Sequence, residues 1–292
     1  MKYCFLLLLN ILGALLLNAQ QRPYYTQYIL NNYIINPAVA GIENYTDVKL
    51  SHRHQWVGLT DAPVTTYFTI HGSLKRDDYG RETATTVHAP GSNPRGEAYW
   101  RDYIAPAPHH GIGFTAINDV TGPISRFAAM ATYAYHLSLN AQTNLSFGVS
   151  AGISQMRLNT EKLVFYQQND PSAFGNGQLN TTKPDISVGL WLYGKDYFIG
   201  ASLQQIISQN LIFSNNTVVS KDSIGRLIPH IFLQAGYRMM LSEDVSFLPS
   251  LMVRYIKPLK PGFDVNAKVQ YRDLLWVGAN YRHEDGFAGM LG

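Results

Sequence analysis

Between Leu145 and Ser154 apolar and small polar residues alternate strictly. Leu145, Phe147, Val149, Ala151 and Ile153 fall on one side, and Ser146, Gly148, Ser150, Gly152 and Ser154 on the other. Side chains alternate faces along a strand, so the segment 143–157 has one apolar and one small, polar face. Strands of soluble domains usually run about five or six residues, whereas a tilted strand of this length can cross a bilayer. The same pattern predicts strands at 48–56, 64–74, 111–118 and 125–139 before this segment. After it come 185–193, 197–205, 230–241, 245–257, 263–271, 275–281 and a strand beginning near Phe287. No helical periodicity competes with these elements beyond the N-terminus. About 12 strands of this kind predict an all-β fold, a transmembrane antiparallel β-barrel of the outer membrane.

The connections supply an independent test. If the chain enters strand one from the periplasm, the turns near 140–143, 194–196, 242–244 and 272–274 all fall on the periplasmic side, and all are short. The long connections 158–184 and 206–227 fall outside, as bacterial barrels require. The Pro/Gly-rich stretch 76–108 breaks the rule, being long and periplasmic by parity: either it hides a further strand pair or it is an unusual periplasmic loop, with partner binding as its candidate role.

The N-terminus bears on the compartment. Lys2, the apolar run Phe5–Leu17 and Asn18-Ala19-Gln20 form a secretory signal peptide, 1–19, cleaved after Ala19. Cys4, the only cysteine, leaves with it, which excludes thiol nucleophiles and cysteine-based metal sites. Residues 20–43 then form a polar, aromatic segment, periplasmic or plugging the lumen, ahead of the barrel at 44–292.

Without Lys2 the chain holds 22 basic and 20 acidic residues, a balance that gives no footprint for nucleic acid. Charged residues make up 15% of the chain, against roughly 25% in soluble domains. Nineteen tyrosines suit aromatic girdles at two membrane interfaces.

Candidate chemistry is sparse. His52 and His54 share a strand face and could ligate a metal. No third ligand is placed beside them, and Trp56 on that face suits an interfacial girdle. His109 and His110 point to opposite faces. Ser138 and His136 share a face, but nothing resembles a nucleophile elbow. Asp264, Lys268 and Arg272 suit a polar interior. No phosphate or calcium loop and no cofactor motif is present, so no catalytic residue, metal or cofactor is expected and the protein is read as a non-enzyme. Asn36-Pro37-Ala38 with Gly41 is distinctive: Pro37 biases Asn36 to an extended shape, and Gly41 permits a tight bend.

Several blocks together resemble the PorP/SprF family of Bacteroidetes outer-membrane proteins, associated with the type IX secretion system. They are Gln27-Tyr28, Ile35-Asn36-Pro37-Ala38-Val39-Ala40-Gly41, Arg53-x-Gln55-Trp56, Asn118-Asp119-x-x-Gly122-Pro123, Tyr133-Ala134-Tyr135-His136 and Lys183-Pro184-Asp185. The resemblance covers nearly the whole chain after residue 19, and set against the family the stretch 76–108 looks like an inserted loop. It implies a non-enzymatic outer-membrane component of type IX secretion and gliding motility. That component would sit in outer-membrane lipid, contact periplasmic secretion-ring proteins and bind secreted adhesin C-terminal domains, with a passive pore for small solutes as the alternative. It also marks Gln27, Tyr28, Asn36, Pro37, Gly41, Gln55 and Trp56 as candidate binding residues of the entry motif. Family members continue for about two more strands beyond Gly292, an expectation of 14 strands in the complete protein.

Overall fold

A computed structural model describes residues 30–74, 104–159, 162, 178–211, 225–242, 244–272, 274–283 and 286–292. It contains one antiparallel sheet built from β1 (Asp47–His54), β2 (Val64–Leu74), β3 (His109–Thr121), β4 (Ile124–Asn140), β5 (Thr143–Asn159), β6 (Gln178–Gly194) and β7 (Tyr197–Gln204). The path continues through β10 (His230–Tyr237), β12 (Val245–Ile256), β13 (Gly262–Tyr271), β14 (Leu275–Arg282) and β15 (Gly286–Leu291). Each strand in this path pairs with its predecessor. β11 (Met239–Met240) pairs with β12 beside it, while β8 (Gln209–Leu211) and β9 (Gly225–Leu227) form a separate hairpin. The sheet is open between β1 and β15. Among the described residues no helix is long and apolar enough to cross a membrane.

The twelve strands of the path are the twelve read from periodicity, with three corrections. The sixth strand begins at Gln178 rather than Asp185, because Thr182, Lys183 and Pro184 continue the ladder opposite Gln155, Ser154 and Ile153. The connection expected at 158–184 is correspondingly shorter. The strand expected over 230–241 divides at Arg238, whose N–H donates to the Asp196 carbonyl instead of the ladder. The 206–227 connection holds the β8–β9 hairpin, which its short segments did not reveal.

Local chemistry sets the turns. Asn140 accepts from the Gln142 N–H at 2.8 Å in the β4–β5 turn, and Gly122 (φ 58°) forms the tight β3–β4 turn. Alternation of the chain puts 141–142, 195–196, 242–244 and 272–274 at one end, the short-turn end. The residues entering β3 are there too, since Ala105 N–H donates to the Ala141 carbonyl. Most of the inserted loop lies outside the described residues.

Polarity is inverted relative to a soluble sheet. Leu50 is 76% exposed and Leu233 50%, with Phe114, Phe147, Ile153, Leu190 and Ile199 also exposed on the outer face. Facing inward and buried are Thr132, Ser150, Ser154, Asp185, Gln234, Asn266 and Asn280. Arg282 donates to Asp264 at 2.7 Å, and Arg254 lies 3.9 Å from the other carboxylate oxygen. Water would not leave the apolar residues outside and the polar ones within, whereas lipid around a barrel demands it. The interior nevertheless departs from the polar, small-residue lining expected. Trp191, Tyr193 and Phe198 point inward and form an apolar cluster with Leu248, Met252, Met290 and residues 33–42.

Candidate functional site: an N-terminal strap inside the sheet

The segment 30–43 owes its shape to a few residues. Asn32–Ile34 form one 3-10 turn, closed by the Ile35 and Asn36 N–H groups donating to the Asn32 carbonyl. Pro37 opens a second turn, Pro37–Val39, where its missing N–H costs nothing and its ring holds Asn36 extended at φ −130°, ψ 113°. The Asn36 carboxamide oxygen caps that turn by accepting from the Ala38 N–H at 3.0 Å. Gly41 then adopts φ 77°, a left-handed bend that directs the chain toward β1.

This strap lies against the inner wall of β2–β7, and the wall holds its main chain. Ser146 donates to the Ala38 carbonyl at 2.7 Å, and Ser202 to the Ile35 carbonyl at 2.8 Å. Gln204 donates to the Ile34 and Ile35 carbonyls at 3.1 and 2.7 Å. His136 Nε2 lies 2.8 Å from the Ala40 carbonyl, and its Nδ1 2.8 Å from the Tyr193 hydroxyl, which assigns the ring proton to Nε2. The His109 ring stacks on His136 at 4.4 Å and reaches the Gly41 carbonyl at 3.0 Å. The Gly41 N–H donates to His71 Nδ1 at 3.3 Å.

Three strap side chains bind outward to the wall. Asn36 Nδ2 donates to the Leu190 and Ala201 carbonyls at 2.9 and 3.1 Å. Asn31 donates to Thr69 at 3.0 Å. Tyr33 donates to Thr132 at 2.7 Å, and burial raises its phenol above the ordinary value, so it binds as a neutral hydroxyl. Close approach is possible because the wall lacks side chains where the strap rests. A Cβ on Gly148 would lie 2.4 Å from the Ala38 nitrogen, and one on Gly189 only 1.9 Å from Asn36 Oδ1.

Of the candidate binding residues, Asn36, Pro37 and Gly41 come together in this strap. Gln27 and Tyr28 lie outside the described residues. Gln55 and Trp56 sit at the far end of β1, in the loop to β2, with Trp56 exposed. The Ser138–His136 pair does not assemble: Ser138 donates to the Asn140 carbonyl, while both His136 nitrogens are engaged by Tyr193 and Ala40. His52 and His54 are exposed on the outer face, His52 bonding Thr66 at 2.8 Å. Among the described residues no group of three or more His, Cys, Asp or Glu could hold a metal ion. Sequence reasoning missed His71, Ser202 and Gln204, and it placed His109, His136 and Ser146 on strand faces without reading any of them as a wall for the strap. Their one signal was inward parity in strands whose glycines share the same face.

A family model described as "Type IX secretion system membrane protein PorP/SprF" matches residues 17–292. No curated protein matches the chain.

Proposed function

The chain belongs to the PorP/SprF family of type IX secretion system membrane proteins, and from that premise we propose that it is an anchor rather than a conduit. In this reading it is a non-enzymatic outer-membrane component that holds secreted adhesins by their C-terminal domains. It contacts periplasmic secretion-ring proteins at its short-turn end. The β5–β6 and β7–β10 connections, at the opposite end, are the candidate cargo contacts. Residues 30–43 act as a plug.

The observation that carries this reading is the strap, a buried peptide fastened to the inner face of six consecutive strands, β2–β7, on the side of the sheet that a pore would need open. Interior side chains that elsewhere would line a channel are spent on its carbonyls.

Two measurements test it. In planar bilayers the full chain is expected to show no stable conductance, whereas steady single-channel openings would favour the passive pore. Affinity capture of the tagged protein from its own cells is expected to retain ring proteins and adhesin C-terminal domains; recovery of neither would sink the anchoring role.

A further inference from the structure

The loop joining β1 to β2 exposes three large apolar side chains within four positions: Trp56 (67%), Val57 (79%) and Leu59 (64%). It is pinned in place. Gln55 N–H donates to the Pro63 carbonyl at 2.9 Å, Leu59 N–H to the Trp56 carbonyl at 3.0 Å, and Gly122 N–H to the Asp61 carbonyl at 3.1 Å. Lys162 pairs with the Asp61 carboxylate. Trp56 and Asp61 sit at φ 49° and 59°, a left-handed conformation that side-chain-bearing residues adopt only at a cost. The loop therefore holds its apolar groups exposed in a fixed conformation.

We infer that this loop anchors the protein to the membrane surface at the long-connection end, with Trp56, Val57 and Leu59 entering the interfacial layer of the lipid. The argument is continuity with the lipid-facing surface. Cross-strand register arranges the outer face in rows. One row runs Val48, Ile70, Phe114, Ala131, Ala151, Ile186, and the next Leu50, Phe68, Ala116, Ala129, Ile153, Pro184. The row beyond changes character: His52, Thr66, Asn118, Phe127, Gln155, Thr182. After it come His54, Val64, Val120, Ser125, Arg157 and Asn180. Along β1 itself the outward positions pass from Val48 and Leu50 to His52 and His54, a change from apolar to hydrogen-bonding groups that fits the passage from hydrocarbon to headgroups. Trp56 follows directly after β1 and is exposed. An indole, apolar with one N–H donor, settles in that layer, and Val57 and Leu59 add apolar area beside it.

The test uses the full chain in lipid nanodiscs, with Leu59→Cys in a Cys4→Ser background carrying an environment-sensitive fluorophore. Expected are blue-shifted emission, several-fold stronger quenching by lipids spin-labelled near the headgroup than by unlabelled lipid, and weak quenching by aqueous iodide. The label on the urea-unfolded chain sets the fully accessible limit. Iodide quenching at that limit, with no effect of the spin-labelled lipid, overturns the inference. Shielding from both quenchers also overturns it, because protein and not lipid would then cover the loop.

Discussion

Asn36 and Gly189 form a contact that only a missing side chain permits: the carboxamide lies where a Cβ would come within 1.9 Å of its oxygen, while its nitrogen bonds the adjoining Leu190 carbonyl. Gly189→Ala therefore displaces Asn36 without removing any strap atom. Hydrogen–deuterium exchange of a peptide covering 30–43 is expected to rise at least tenfold, corresponding to about 1.4 kcal/mol of docking free energy. Unchanged exchange would show that the wall yields instead.

Asn36→Ala removes the cap on Ala38 and both wall bonds, with an expected loss of ~2–4 kcal/mol in strap docking. Asn36→Asp is expected to be worse, since it keeps the capping oxygen but turns a carboxylate toward the Leu190 and Ala201 carbonyls. Limited proteolysis within 30–43 ranks the three proteins. The heat-modified gel shift, which reports the folded sheet, should remain in all of them.

His136→Ala takes the ring donor from the Ala40 carbonyl and one of the partners of the Tyr193 hydroxyl, which keeps its bond from Asn144. A buried carbonyl deprived of its donor costs about 1–3 kcal/mol. Thermal unfolding in detergent micelles is expected to fall by several degrees. His136→Gln, which can still donate, should recover part of the loss.

The interior ion pair offers a test remote from the strap. Arg282→Met takes the 2.7 Å partner from fully buried Asp264 and leaves Arg254 at 3.9 Å. Breaking a buried pair on one side costs ~3–5 kcal/mol. The urea midpoint should drop, by less than that full cost because Arg254 still faces the carboxylate, and adding Asp264→Asn, which takes the carboxylate from Arg254 as well, should lower it further.

Outer and inner faces should answer differently to charge. Leu233→Arg places a cation on the lipid face of β10, at a cost of ~2–4 kcal/mol if that position lies near the bilayer midplane. The neighbouring inward Gln234→Glu should cost less. Equal effects on folding into vesicles would argue against lipid at the outer face.

How much of this was legible in the sequence depends on distance along the chain. The face alternation of Leu145–Ser154 is a period-two signal complete within ten residues, so β5 and its orientation could be read directly. Pro184 misled, because proline usually marks a loop or edge, yet here it lies within the β5–β6 ladder opposite Ile153. The Asn36-Pro37 turn and the Gly41 bend were visible as local conformational rules. Their environment was not: Gln204 reaches the Ile34 carbonyl across 170 positions, and Trp191 and Phe198 revealed no reason to face inward until the strap supplied one. A single sequence encodes such meetings only through parity, which says which side a residue takes but not what it will find there.

The strap runs directly into β1 through Gly41; its carbonyls are gripped by side chains of β3, β4, β5 and β7, and its Asn36 donates to the Leu190 carbonyl of β6. It is thus positioned to act as a mandrel during assembly. A sheet that curls while its first residues lie across its concave side receives its curvature from a template it carries itself. With the sheet open between β1 and β15, seating the strap on that concave face asks for no threading through a rim.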